Sequence, residues 1–175
     1  MGFVHRTANR GDLAQIVEIY NSTIPSRMVT ADTAAVSVES RMPWYEQHNP
    51  ALRPLWVVEL EHRVAAWLSF SDFYGRPAYG RTAELSVYVH EGCRRKGLGA
   101  YLLQQAIANA PALEVDSLLG FIFGHNHPSL ALFGIFGFVR WGELPRVAVL
   151  EGVERDLIIV GRRIDQALPV MPAAR

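Results

Sequence analysis

The chain has 175 residues, half of them apolar, which is long enough for one domain with a full core. Lysine and arginine (17) balance aspartate and glutamate (17), so no global charge favours nucleic acid or an anionic membrane as partner. A single cysteine, Cys93, excludes an intrachain disulfide and a multi-thiolate metal site.

The opening, MGFVHRTANRGD, lacks a signal-peptide pattern, and within it FVHRT reads as a short strand. ANRGDLAQIVEIYNS reads as a turn and an amphipathic helix with Leu13, Ile16, Val17 and Tyr20 on one face. Thr30 or Asp32 is expected to cap a second helix running to about His48, followed by the loop NPALRP. LWVVEL and VAAWLSF, separated by Glu61-His62-Arg63, predict an antiparallel hairpin. The loop SDFYGRPAYG leads into the strand TAELSVYV, whose Ala83, Leu85, Val87 and Val89 face one way and Thr82, Glu84, Ser86 and Tyr88 the other. LGAYLLQQAIANA is helical, with Leu98, Leu102, Leu103, Ala106 and Ile107 inward, and ends before Pro111. SLLGFIFG predicts a buried strand; NHPSLALFGIFGF a helix with Pro128 near its start, running into a strand at Phe138 to Trp141; and VERDLIIVGRRI a last strand. Residues 1–165 are expected to form the single domain and 166–175 a loose tail. Its longest apolar stretch, around SLALFGIFGFV, falls well short of the ~20 residues of a membrane helix, so a cytoplasmic protein is expected. Strand–helix alternation after a hairpin implies an α/β (α+β) mixed sheet with helices on both faces.

Between the strand and the third helix lies HEGCRRKGLGAY. Glycines entering a helix leave its first N–H groups unpaired beside the positive end of the helix dipole, which suits a phosphate, and Arg94, Arg95 and Lys96 add countercharge. On spacing alone a solvated basic turn capped by glycine fits equally. Gly92 and Gly97 have the glycine spacing of a nucleotide P-loop, but Leu98-Gly99 stands where Lys-Ser/Thr must follow. Gly97-Leu98-Gly99 begins a dinucleotide fingerprint, yet Leu102 occupies the third glycine position.

Arg94-Arg95-Lys96-Gly97-Leu98-Gly99, placed after SVYV, resembles the (Gln/Arg)-x-x-Gly-x-(Gly/Ala) acyl-coenzyme A loop of the GNAT superfamily of N-acetyltransferases. TAELSVYVHEGCRRKGLG, GHNHPSLALFGIFGF and VERDLIIVGRRI recur in the order of its phosphinothricin acetyltransferase-like branch, and WYEQHNPALRPLWVVE is similar to that branch's second helix and strand. The resemblance implies a GNAT fold with splayed central strands and acetyl-CoA as co-substrate. The backbone of Val87, Tyr88 and Val89 would pair with the pantetheine arm, and the loop from Arg94 through Arg95, Lys96, Gly97, Leu98 and Gly99 to Ala100 would hold the pyrophosphate. It also assigns Asn126 and Ser129 to the cofactor, although without the resemblance Asn126 before Pro128 reads first as a helix-start residue. A kink or bulge in SVYV is expected to leave N–H groups for an oxyanion hole.

Transfer to an amine requires a base, because an ammonium has no lone pair. Glu84, within the family's Thr-x-Glu-x-Ser-Val-Tyr-Val pattern, is the catalytic candidate, directly or through water. Ser86, Tyr74 and Arg76 join it on the acceptor side, Arg76 as a guanidinium for a substrate carboxylate. Phe133 departs from the histidine or tyrosine of related enzymes, which leaves the acid either dispensable, since a coenzyme A thiolate is a good leaving group, or supplied by Tyr88, Tyr101 or water. His125 and His127 read as helix-entry residues, so no metal is expected. The implied activity is acetylation of a small primary amine of the phosphinothricin or methionine sulfoximine type by a homodimer. Acetylation of protein N-termini or lysines and non-catalytic coenzyme A binding stay open beside it.

Overall fold

The computed structural model describes residues 2–164; the expected tail lies outside the described residues. Seven strands form one mixed sheet: β1 (His5–Thr7), β2 (Leu55–Leu60), β3 (Arg63–Asp72), β4 (Thr82–Val89), β5 (Ser117–Phe123), β6 (Val139–Leu150) and β7 (Val153–Arg163). The helices are α1 (Leu13–Thr23), α2 (Val38–Glu46), α3 (Leu98–Asn109) and α4 (His127–Ile135). The sheet order is β1-β2-β3-β4-β5-β7-β6, with β4 and β5 the parallel pair.

Two cores follow from strand alternation. Leu55 and Val57 of β2 pack with Ile16 and Ile19 of α1 and with Trp67, while Trp56 and Val58 join Leu85, Leu102 and Ile107 on the other side. In the β2–β3 hairpin Val58 opposes Ala66 and Glu59 opposes Val64, so Ala65 is bulged out. In β4, Ala83 and Leu85 enter the core against α3, which leaves Glu84, Ser86 and Tyr88 on the face toward α1 and α2.

Three expectations change. The second helix begins at Val38, because Ser37 is its cap, accepting from the Ser40 N–H at 3.1 Å. Thr30 and Asp32 bond the Tyr20 hydroxyl instead, and Asp32 pairs with Arg41 as well, so their oxygens serve tertiary contacts. The strand expected over Phe138 to Trp141 is a 12-residue ribbon, β6, broken by irregular register around Gly142 and Pro145. Its position at the sheet edge tolerates a proline and many exposed side chains, so no periodic apolar signal marks it. Finally, β3 and β4 pair in continuous register from Ala66↔Val89 to Asp72↔Ala83, so the expected kink is not a bulge in that ladder. The splay arises on the other edge: β4 and β5 pair only through Thr82↔Ser117, Ala83↔Leu118 and Glu84↔Leu119, then diverge.

Candidate active site

The opening between β4 and β5 is the centre of the site. Beyond Glu84, β4 stays with β3 while β5 follows β7, so the edge of β4 from Leu85 to Val89 faces a gap. A cleft of about 310 Å³ runs along that edge between the starts of α3 and α4. Val87, Tyr88, Val89, Arg94, Gly99, Asn126 and Ser129 line it.

The loop into α3 is built for close backbone approach. Arg95 and Gly97 take left-handed conformations (φ 60° and 90°), and no side chain caps the helix. Its first bond is donated by the Tyr101 N–H to the Gly97 carbonyl at 2.9 Å, which places the N–H groups of Leu98, Gly99 and Ala100 ahead of the hydrogen-bonded turn. A Cβ at Gly99 would meet Leu132 at 3.1 Å and the Val87 and Val89 side chains beyond it. Arg95 and Lys96 are exposed on the loop, whereas the Leu98 side chain is buried in the core, leaving only its N–H for a ligand.

Asn126 is 5% exposed and caps α4: its Oδ1 accepts from the Ser129 N–H at 3.2 Å, and its Nδ2 donates to the Met28 carbonyl at 3.0 Å. His125 Nε2 lies 2.8 Å from the Arg27 carbonyl, and Arg27 Nε reaches Glu151 at the β6–β7 turn, 3.0 Å away. These contacts hold the segment after α1 against the cleft, where Thr23, Ser26, Met28 and Val29 form its far wall. Sequence reasoning missed this wall; the polar run NSTIPSRM after an amphipathic helix was its only signal.

A second cavity, about 160 Å³, lies on the α1/α2 face of the sheet. Ser69 and Ser86, direct partners across β3 and β4, form its floor, with Trp67 and Tyr88 stacked beside them at 4.3 Å and 15°. Tyr20, Arg41 and Trp44 form the helical side. The Tyr20 hydroxyl lies 2.5 Å from both Thr30 Oγ1 and Asp32 Oδ2, and burial, then the Asp32 bond, raise its pKa. Burial pushes Tyr88 far above an ordinary tyrosine, with the nearby Tyr20 adding to it. Ser86 and Tyr88 also line the small space where the strands part, so they stand between the two cavities.

Glu84 sits two residues before Ser86 on this face, opposite Ser71 of β3 and Leu119 of β5. Burial raises its pKa, and among the described residues its carboxylate has no hydrogen-bond or ion-pair partner. Phe133 is buried beside the gap, edge-on to Phe138 at 4.9 Å and above Gly120, and its ring has no proton to give there. The Tyr101 hydroxyl is bonded to His5 Nδ1 at 2.9 Å, and neither Tyr101 nor Glu84 lines the two cavities. Tyr74 is 77% exposed against Phe73 and Tyr79, and Arg76 is exposed where the turn Pro77–Tyr79 begins. Neither lines the two cavities. Arg81 pairs with Asp116 at 2.5 Å on the surface.

Residues 14–138 match the Acetyltransferase (GNAT) family. The chain is 55% identical over 160 residues to a Bacillus subtilis protein named "Putative phosphinothricin acetyltransferase YwnH", covering 91% of this chain and 98% of that one. It is 30% identical over 161 residues to the L-methionine sulfoximine/L-methionine sulfone acetyltransferase of Salmonella typhimurium, covering 92% and 94% of the two chains. A crystal structure of a phosphinothricin acetyltransferase from Sinorhizobium meliloti in complex with acetyl-CoA superposes with a TM-score of 0.87 at 26% identity, covering 93% of this chain and 89% of that one.

Proposed function

Because the chain belongs to the acetyltransferase (GNAT) family, we propose that it moves acetyl from acetyl-CoA to the primary amine of a small amino-acid-like substrate, of the phosphinothricin or methionine sulfoximine type. In this reading the thioester enters the gap along β4 from the cleft, and the amine approaches from the cavity past Ser86. The uncapped N–H groups of Leu98 to Ala100 and the side chains of Arg94, Arg95 and Lys96 suit the pyrophosphate. Val87, Tyr88 and Val89 offer the free strand edge to the pantetheine arm. Asn126 and Ser129 border that cleft, Asn126 through its own cap and its hold on Met28.

The amine nitrogen attacks the thioester carbonyl in a ternary complex; the C–N bond forms, the C–S bond breaks, and coenzyme A leaves as thiolate. Glu84 takes the proton that the amine must lose, directly or through one water. The thiolate takes its proton from water or from Tyr88, since Phe133 has none to give. On the acceptor side, Ser86 serves from the cavity floor, while Tyr74 and Arg76 serve the α-carboxylate from the loop before β4. We place the enzyme in the cytoplasm as a homodimer. No helix among the described residues is long and apolar enough to cross a membrane, and exposed Val139, Trp141 and Val149 on β6 suit a partner.

One observation carries the reading: β4 and β5 part after Glu84↔Leu119, and the free edge this leaves on β4 runs along a cleft that ends at the uncapped N–H groups of α3, while Glu84, half-buried and without a side-chain partner among the described residues, sits at the last paired rung. The methionine sulfoximine/methionine sulfone acetyltransferase among its relatives favours a free amino acid over a polypeptide acceptor. Thiol release from acetyl-CoA with free amino acids, simple amines and peptides tests this. Release with peptides alone identifies a protein acetyltransferase, and coenzyme A binding without release a regulator.

A further inference from the structure

The loop between β3 and β4 carries Tyr74 and Arg76, and its placement depends on its neck. The tip turns through Tyr74 and Gly75, both left-handed (φ 57° and 58°), and a Cβ at Gly75 would meet nothing within 4 Å. Tyr74 and Tyr79 pack on Phe73 and on each other, so the tip rests on its own rings. Phe73 in turn lies 6.4 Å from the ring of Phe121, which lines the space where β4 and β5 part. The loop therefore reaches the gap. At its neck Arg53 joins the two ends: its Nε donates to Asp72 Oδ1 at 2.6 Å and its Nη2 to the Gly80 carbonyl at 2.6 Å. Its Nη1 donates to the Leu52 carbonyl at 2.8 Å, and its backbone bonds Asn49 in both directions at 2.7 and 3.0 Å. Arg53 is 8% exposed and lines neither cavity.

We propose that Arg53, through Asp72 and Gly80, is the positioning residue that sets where the β3–β4 loop presents Arg76 to the acceptor. This rests on the acetyl-transfer reading, in which that loop serves the α-carboxylate, and it adds the device that aims the loop. The hairpin does not need Arg53 to close, because the β3–β4 ladder already ends on the rung Asp72↔Ala83. Gly80 lies beyond that rung. Nε and Nη2 share one edge of a planar, rigid guanidinium, so bonding Asp72 and Gly80 to that edge fixes the direction in which the chain leaves and re-enters the ladder. Removing the clamp leaves the ladder intact and frees the tip. A buried ion pair adds little net stability, so its value here is geometric.

The test measures KM for methionine sulfone, kcat at saturation and KM for acetyl-CoA. Asp72→Ala should raise the methionine sulfone KM by about one order of magnitude, within what a displaced binding group costs, with the other two level. Asp72→Asn, whose amide oxygen still accepts the Nε–H, should restore most of that loss. Arg53→Lys, whose ammonium cannot fork to both loop ends, should behave like Asp72→Ala. Asp72 is exposed, so its two variants carry the comparison should Arg53→Lys fail to fold. In an Arg76→Ala background Asp72→Ala should add little, because the clamp acts through Arg76. Full additivity there, or a fall in kcat together with a rise in the acetyl-CoA KM, makes Arg53 merely structural and overturns the proposal. So does an unchanged methionine sulfone KM in Asp72→Ala when Arg76→Ala raises it, and acetyl transfer then stands. If Arg76→Ala leaves that KM unchanged, or the wild type does not acetylate methionine sulfone, the reading beneath falls and the proposal with it.

Discussion

Glu84 of β4 and Leu119 of β5 are the last residues paired between these two strands, and beyond them the sheet opens. Glu84 is therefore the last paired residue before the gap; burial raises its pKa, and among the described residues no partner lowers it. Glu84→Gln should lower kcat by about two orders of magnitude or more, within the usual range for a general base, with acetyl-CoA affinity unchanged. The base works only when ionised, so the acid limb of kcat/KM should lie above the ordinary glutamate range and disappear in the variant. Unchanged turnover from acid to alkaline pH would remove Glu84 from the mechanism.

The same shift has a consequence for stability. A carboxyl group whose pKa is raised on folding contributes stability that is present below its unfolded pKa and lost as pH rises through the folded value. Near neutral pH the ionised Glu84 therefore costs stability. Glu84→Gln should melt at or above the wild-type temperature there, with the difference shrinking in acid. Melting curves across that range decide it; a variant less stable at neutral pH would mean that the carboxylate has a favourable partner.

Acetyl-CoA, and not ATP or NAD, should raise the melting temperature by mass action. Gly97→Ala should weaken that effect, because φ 90° strains any side chain, and should cost about 1 kcal/mol of stability by itself. Calorimetry finding ATP or NAD the tighter ligand contradicts the assignment of this loop.

Gly120 of β5 gives its space to Phe133: a Cβ there would lie 2.8 Å from the Phe133 ring and 3.1 Å from Val160. Gly120→Ala should destabilise by about 1–3 kcal/mol, as overpacking does, and should push Phe133 toward the cleft. Chemical denaturation measures the first effect, and weakened acetyl-CoA binding the second.

Asp12 fixes the entry to α1. It is buried, receives two bonds from Arg6 at 2.7 and 2.9 Å, and accepts the Asn9 N–H at 2.7 Å. The Arg6 bonds, ahead of the opposing effect of burial, lower its pKa, so its contribution is present above its unfolded pKa and is lost as pH falls through the folded one. Asp12→Ala should cost about 1–3 kcal/mol near neutral pH and progressively less in acid. A pH-independent loss would place the effect in packing alone.

The sequence alone determined what is local. Alternation in TAELSVYV put Glu84, Ser86 and Tyr88 on one face, and the glycines of RRKGLG announced a helix start with unpaired N–H groups, because side-chain period and backbone freedom are properties of neighbouring residues. Family resemblance then joined those pieces into a fold. Only the tertiary structure decided where β4 parts from β5, since that depends on which of two distant strands each edge follows. It also chose the acceptor walls: Tyr20, Arg41 and Trp44 come from α1 and α2, and Asp32, which looked like a helix cap, instead holds Arg41. A polar residue in sequence offers the same oxygen to a cap or to a distant guanidinium, and which one it meets is settled by the packing of helices onto the sheet.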